Sequence, residues 1–352
     1  VPNTKLYCCD PPGNTNPDSL INFGGNGLDM INYIFFHDQE PIHLDIYTDL
    51  FDEVYNRNPL DNISYVDAQR HHGIVTSEFS SDTVEELCKK YNWKSYYYFF
   101  HGWASLDWYR GYDKTFLITN PGKRKIAKTF IAPNRIIAGE RKHRLEMLYH
   151  IFKNRMLDNH ISCPDTCPVE NISIHKAIEP LIGRYPDIES VFANTTLPIQ
   201  FEGETDHPMH SCWLSLFNES AESLLYLVTE TVYTGRRHHL TEKTFKPIAL
   251  GMPFVVVGTR GSLEYLRSYG FRTFEGIWDE SYDNAEDDTR IERIGSLLRS
   301  LDELPLDSKQ DLFDQAQEVI EHNWNHFYNG GFEKILWVEL QGMLTKIKKD
   351  FY

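Results

Sequence analysis

The sequence predicts an α/β protein of two domains, each a parallel sheet covered by helices. Three observations carry that expectation. Short apolar runs bounded by Gly, Pro and polar clusters alternate with helix-periodic segments along the chain. The length, 352 residues, exceeds one compact core and suits two. Apolar residues make up 41% and charged residues 24%, the balance of a globular chain.

Taken in order, residues 31–36 read as an apolar strand and 44–55 have helical spacing. Residues 73–77 read as a second strand. Residues 82–91 read as a helix with a Ser or Asp N-cap ahead of Glu85 and Glu86, and 96–100 as a third strand. The second half repeats the plan, with strands expected near 128–131, 190–193, 224–228, 254–257 and 273–274. A final helix over 332–349 gathers Ile335, Leu336, Val338, Leu340, Leu344 and Ile347 on a broad apolar face, expected to pack on the body of the protein. The expected division is an N-terminal domain over 1–120, a second over 121–330 and the C-terminal helix over 331–352.

Composition excludes several functions. A formal net charge of −16 argues against a broad, nonspecific grip on nucleic acid, which needs many phosphate-neutralising cations. Local basic islands remain at 123–128, 135–144 and 236–237. No stretch approaches the ~18 apolar residues of a membrane span. The start, Val1-Pro2-Asn3-Thr4-Lys5, has no apolar signal region, so nothing in it marks secretion unless a leader was removed. Six cysteines do not make a disulfide scaffold in this length, which points to a reducing compartment. Cys163 and Cys167 are one residue off the usual zinc spacing and no paired second half follows, so a loop is expected there and no metal. Four Asn-x-Ser/Thr triplets, at Asn62, Asn171, Asn194 and Asn218, are short enough to recur by chance.

The most informative stretch runs Arg236-Arg237-His238-His239-Leu240-Thr241-Glu242-Lys243-Thr244-Phe245-Lys246-Pro247-Ile248 and leads through Gly251 and Pro253 into an apolar strand. A basic loop that opens a helix suits a phosphate or diphosphate, because helix N-termini carry unpaired N–H groups and a positive dipole end. Glu242 beside the cations suits sugar hydroxyls. The competing reading is a solvated basic turn before an amphipathic helix.

With the preceding strand Ser223-Leu224-Leu225-Tyr226-Leu227-Val228-Thr229-Glu230 and the following Met252-Pro253-Phe254-Val255-Val256-Val257-Gly258, the segment resembles the donor-binding core of the fucosyltransferase family. That family's pattern is a strand ending in Phe-Glu-Asn, then Thr-Glu-Lys, a helix, and a Pro-led strand ending in Gly. Here Glu230 falls at the glutamate, with Thr229 and Thr231 in place of its neighbours. Phe130-Ile131-Ala132-Pro133-Asn134, then Arg141 and a helical stretch, resembles the same family's strand, Asn and Arg. Residues 1–120 match it poorly. The whole chain, with His37-Asp38-Gln39-Glu40-Pro41 early and Trp278-Asp279-Glu280-Ser281-Tyr282-Asp283 late, is more similar to glycosyltransferase-like proteins of bacteriophages and giant viruses.

The resemblance implies the GT-B arrangement, two Rossmann-like domains facing each other across a cleft. It also implies transfer of a sugar from a nucleotide-sugar co-substrate to a hydroxyl acceptor. Asn134, Arg141, Glu230, Arg236, Arg237, Thr241, Glu242 and Lys243 form the implied donor set, with Arg141 and Lys243 on the diphosphate and the Glu230 carboxylate facing the donor sugar. The chain has no Asp-x-Asp, so side-chain cations stand in place of a metal, and no cofactor is expected. Glu230 and Glu242 are too far apart for the Glu-x7-Glu pattern of retaining enzymes, which favours inversion.

The base is expected at a strand's carboxyl end in the first domain, where ligands of parallel sheets bind. Glu40 is first choice, then Asp38 and Glu78; a turn or cap carboxylate is the competing reading of Glu40. His101, Trp103, Asp107 and Arg110, with Trp108, crowd one short helix. They read as an acceptor platform, since aromatic faces suit a pyranose, or as ordinary domain packing. Trp278 and Tyr282, beside an acidic segment (279–288) expected to be a surface loop, read as covers for a nucleotide base. The acceptor is a glycan or a hydroxymethylated base of viral DNA, and the expected location is the cytoplasm of a bacterial or virus-infected host cell. The alternative is a non-catalytic nucleotide- or sugar-binding module of the same fold.

Overall fold

The computed structural model describes residues 4–8, 32–37, 41, 73–110, 124–201 and 214–351. The expected helix over 44–55 lies outside these residues, as do Asp38 and Glu40. The strands are β1 Thr4–Cys8, β2 Asn32–His37, β3 Gly73–Thr76, β4 Lys94–Tyr97, β5 Lys128–Ala132, β6 His160–Ile161, β7 Thr166–Cys167, β8 Ile172–Ser173, β9 Ser223–Thr229 and β10 Phe254–Val257. The helices run α1 Asp82–Tyr91, α2 Phe100–Arg110, α3 Lys142–Lys153, α4 Ile174–Ile178, α5 Ile188–Ala193 and α6 Phe217–Glu222. They continue with α7 Glu242–Ala249, α8 Ser262–Ser268, α9 Asp287–Asp302, α10 Leu306–Gln315, α11 Gln317–Tyr328 and α12 Gly331–Phe351. The chain divides into two compact units: Val1–Trp103 with Gly235–His239 and Lys334–Tyr352, and Ala104–Thr234 with Leu240–Glu333.

The first unit is built on the sheet β1-β2-β3-β4, parallel throughout. β3 is buried along its whole length, as a strand covered on both faces must be. Ile34, Val75, Tyr96 and Tyr98 pack with Met343 and Ile347 of α12, with Leu340 partly buried against them; of the apolar face read in the C-terminal sequence, Val338 and Leu344 are instead exposed. The Tyr96 hydroxyl donates to Asp350 at 2.8 Å, and Glu339 accepts from the Phe99 N–H at 2.8 Å. α1 starts at Ser81, whose hydroxyl accepts from the Val84 N–H, and stops at Asn92 in the left-handed region, φ 53°.

The second unit holds the sheet β10-β9-β5-β6, again parallel throughout. β5 leads through α3 to its neighbour β6 on one side, and β9 leads through α7 to β10 on the other. The winding direction therefore reverses between β5 and β9, the crevice where doubly wound sheets bind ligands. All seven residues of β9 are buried.

Four sequence expectations are corrected. Residues 190–193 are helical, within α5, because Ile188 and Phe192 are spaced for one helical face and both are buried. Residues 273–274 form no strand; the Phe274 N–H donates to the Glu280 carboxylate at 2.8 Å. The segment after Trp278 is not wholly a surface loop: Glu280, Tyr282 and Asp283 are buried. Trp278 itself is buried and stacks on Phe274, with ring centroids 5.1 Å apart, so the two aromatic rings proposed to cover a base are core residues. Among the described residues no helix is long and apolar enough to cross a membrane.

Candidate functional site at the carboxyl edge of the second sheet

The site is organised around Glu230, the residue that follows β9. Its N–H extends the ladder to Val257 O at 3.0 Å, and its side chain is fully buried under the start of α7. One carboxylate oxygen accepts from the Thr241 N–H at 3.0 Å and the Thr244 hydroxyl at 2.6 Å. The other accepts from the Thr241 hydroxyl at 2.6 Å and the Thr231 N–H at 3.3 Å. An ionised carboxylate has about four acceptor positions, and all are committed. A negative charge at a helix N-terminus is also favoured by the helix dipole.

The backbone carbonyl of the same residue is held from the other side of the crevice. His143 Nε2 donates to Glu230 O at 2.9 Å, and Arg144 donates to Thr229 O at 3.1 Å, Glu230 O at 3.3 Å and Ile136 O at 2.8 Å. Two helix starts, α3 and α7, thus meet on one residue. Burial and the neighbouring Arg144 and Arg141 push the His143 pKa down to about 3, so the ring is neutral and its Nε2 carries the proton given to the carbonyl. Arg144 is also buried, which lowers its pKa to about 10 and leaves it charged at neutral pH. Asn134 pegs the sheet ends together: its amide donates to Ala132 O at 3.2 Å and its carbonyl accepts from the Thr229 hydroxyl at 3.1 Å.

The cations differ in what surrounds them. α3 begins at Arg141 with no side-chain cap and no acidic residue in its first turn. Among the described residues the Arg141 guanidinium has no hydrogen-bond or ion-pair partner. Lys243 Nζ sits 2.8 Å from Glu242 Oε1 and 3.3 Å from the Thr241 hydroxyl, one-third exposed. The third helix start on this edge, α8, is already occupied: Asp283 accepts from the Leu263 N–H at 3.1 Å and the Glu264 N–H at 3.4 Å.

Of the expected donor residues, then, Glu230, Thr241, Glu242 and Lys243 are in direct contact. Asn134 reaches the residue before Glu230, and Arg141 lies close enough to Arg144 to act on its charge. Arg236 and Arg237 belong to the first unit. Arg236 Nε donates to Asp82 at 2.6 Å and its Nη2 to Glu85 at 2.8 Å, all three exposed, while Arg237 lies 3.5 Å from the buried Glu78 carboxylate. Glu78 also accepts from the Ser81 hydroxyl at 2.5 Å.

His101 is buried edge-on to His239 with ring centroids 4.9 Å apart, and Trp103 packs edge-on to Trp337 at 4.9 Å. Asp107 is exposed one helical turn beyond Trp103, so those two share a face of α2 while His101 points elsewhere. The Arg110 side chain lies outside the described residues. Among the described residues no group of three or more His, Cys, Asp or Glu is placed to hold a metal; Cys167 instead donates to Glu170 at 2.6 Å. Sequence reasoning missed His143 and Arg144 as site residues. The sequence shows there only a basic run over 141–144; that residues 143–152 are all buried, polar ones included, emerges from the structure.

These features define an α/β protein with parallel sheets, C-terminal helices and a polar cluster at a topological switch point. No protein-family model and no curated protein matches the chain. Among solved structures it is similar to a UDP-forming α,α-trehalose-phosphate synthase from Burkholderia xenovorans, at 13% identity and a TM-score of 0.40, over 89% of this chain and 69% of that one. It is also similar to an α,α-trehalose 6-phosphate synthase from Burkholderia multivorans, at 14% identity and a TM-score of 0.35, over 90% and 67% of the two chains.

Proposed function

We propose that the chain is a nucleotide-sugar-dependent glycosyltransferase of the GT-B type, moving a sugar to a hydroxyl acceptor by an inverting, metal-independent displacement. The observation that carries this reading is the meeting of α3 and α7 on Glu230 at the switch point, with Arg141 and Lys243 at the two helix starts. As the glycosidic bond breaks, negative charge grows on the departing nucleoside diphosphate, and fixed N–H dipoles and cations stabilise it. Arg141 and Lys243 take the diphosphate, Glu242 faces sugar or ribose hydroxyls, and Asn134, Thr241 and Glu230 hold the backbone that presents them. The likeness of residues 223–258 to the fucosyltransferase donor pattern supports the same roles.

Residues 1–120 supply the acceptor side in this reading. Glu40 deprotonates the acceptor hydroxyl, with Asp38 and then Glu78 next in order, and His101, Trp103, Asp107 and Arg110 receive the acceptor. Arg236 and Arg237 are left outside the donor set because they belong to the first unit and pair there with Asp82, Glu85 and Glu78, whereas Lys243 and its partner Glu242 both stand at the start of α7. A glycan acceptor fits the acidic chain better than DNA does.

A second reading is favoured by one specific observation: every acceptor position of Glu230 is committed within the chain, so this carboxylate is not turned to a donor sugar. A nucleotide-binding module without catalysis would need only the cations. The deciding experiment measures nucleoside diphosphate release from nucleotide sugars, with chelator, with and without candidate acceptors, beside a thermal-shift series with the nucleoside diphosphates. A ligand at one hundred times its Kd adds ~2.7 kcal/mol of stability. Acceptor-dependent release in chelator supports the transferase, stabilisation without release supports the module, and neither effect rejects both.

A further inference from the structure

Between β9 and α7 the chain passes through Thr231, Val232 and Tyr233, and the anchoring of this turn is unusual. Arg290, in the first turn of α9, is almost fully buried. Its guanidinium lies over the Tyr233 ring, 4.4 Å from the centroid, and donates to Tyr233 O at 2.8 Å. It also donates to Ala285 O at 2.8 Å and to Asp287 at 2.7 Å, while the Tyr233 hydroxyl donates to Asp287 O at 2.5 Å. The same ring meets a second planar group. His143 stacks on Tyr233 at 5.0 Å with the planes 12° apart, and it is His143 that fixes the Glu230 carbonyl.

A continuous chain of contacts therefore runs from α9 to the residue on which both helix starts meet. A planar, permanently charged guanidinium suits its end: it stacks on a ring and donates several hydrogen bonds at once, which an ammonium cannot do in the same geometry. Contacts to two planar groups hold the ring, and His143, kept neutral, can approach it without repelling Arg290.

We propose that Arg290 is a positioning residue for the donor site: through Tyr233 and His143 it fixes the Glu230 peptide, and thereby the Thr241–Lys243 turn that meets the diphosphate. The donor role of that turn rests on the transferase reading; the mechanical linkage does not. Arg290 touches no substrate. Its side chain acts on the spacing between the Glu230 carboxylate and the start of α7.

The test uses hydrogen exchange of the ligand-free full chain, with Arg290→Met as the main variant, since Met retains the apolar stem and removes the fork. The expected result is a loss of protection of at least tenfold in the amides of 228–244, with the remaining strands of the second sheet unchanged. Loss confined to 285–300 overturns the proposal. Should Arg290→Met fail to fold, Tyr233→Leu removes the ring and keeps the arginine, and protection of 239–244 at the wild-type level then overturns it. A parallel titration with nucleoside diphosphate separates the two claims. Wild-type protein that binds none of them sinks the donor reading and leaves the exchange result standing. Wild-type binding with an unchanged Kd in a folded Arg290→Met variant sinks the positioning claim alone, and a Kd at least fivefold weaker, restored in part by Arg290→Lys, supports it.

Discussion

The two halves of the basic stretch at 236–243 are paired in different places, one within the first unit and one at the start of α7. Arg236 and Arg237 fold with the first unit and are matched by the carboxylates of Asp82, Glu85 and Glu78. Lys243, only six residues after Arg237, is paired as well, 2.8 Å from Glu242 Oε1, but it stands one-third exposed at a helix start whose buried carboxylate, Glu230, is already saturated by hydrogen bonds. Arg141 stands at another with no acidic residue in the first turn. The density of cations along a sequence thus says little about which of them are available to an anion; their partners decide it. Arg144 makes the same point from inside the protein, since backbone carbonyls rather than carboxylates receive its guanidinium.

The contrast breaks most visibly at Glu230. Glu230→Ala leaves the Thr241 N–H and two hydroxyls buried without their acceptor, and should destabilise the chain by about 3 kcal/mol or more in urea unfolding. Glu230→Gln, which keeps the shape and one acceptor oxygen, should cost less. Equal and small losses in both would mean that the carboxylate does not hold the start of α7.

The pH dependence of stability comes next. His143 has a folded pKa near 3 against an ordinary 6.5, so between those values the unfolded chain binds the proton that the folded chain refuses. This residue therefore removes stability as pH falls through that window, by up to about 1.4 kcal/mol per pH unit. Glu146, Glu280 and Asp283, whose carboxyls burial holds above their usual range, act in the opposite direction, because the folded chain protonates them first. The clean readout is a comparison: His143→Gln should flatten the acid limb relative to wild type, and an unaltered slope would contradict a buried neutral ring.

Lys243→Ala and Arg141→Ala sharpen the comparison at the ligand. Each should weaken nucleoside diphosphate binding about tenfold, the effect of one lost charge-assisted contact, with an unchanged unfolding midpoint for Arg141→Ala and a lowered one for Lys243→Ala, which leaves the buried Glu242 carboxylate without this partner. Wild-type affinity in both would remove the donor assignment. The smallest effect belongs to Arg236→Ala, which deletes only exposed ion pairs and should change neither the melting temperature nor nucleotide affinity measurably. A loss of affinity matching that of Lys243→Ala would show that its pairing to Asp82 and Glu85 opens for ligand.

Where a strand is wholly buried the sequence announced it: residues 224–228 and 254–257 are unbroken apolar runs between polar punctuation, and both are strands. The run at 190–193 misled because four residues cannot display a period; only by reaching back to Ile188 does the helical spacing appear. Thr241, Glu242 and Lys243 were legible because the chemistry is local to one turn. His143 and Arg144 were not, since their partner, Glu230, lies 87 and 86 residues away and nothing in a single sequence records that distance. Tyr282 and Trp278 misled for a related reason: acidic neighbours suggest exposure, yet Asp283 turns inward to cap α8.

The pairing of the Tyr96 hydroxyl with Asp350 spans 254 residues of chain, and the first unit's core is closed by Met343 and Ile347. During synthesis the ribosome releases β2, β3 and β4 long before α12 exists to cover them. Their apolar side chains must wait, through the making of the second unit, for α12 to arrive. That interval is where a nascent chain is open to chaperones and to aggregation, so truncations or stalls near residue 333 should be felt first as poor yield of soluble protein.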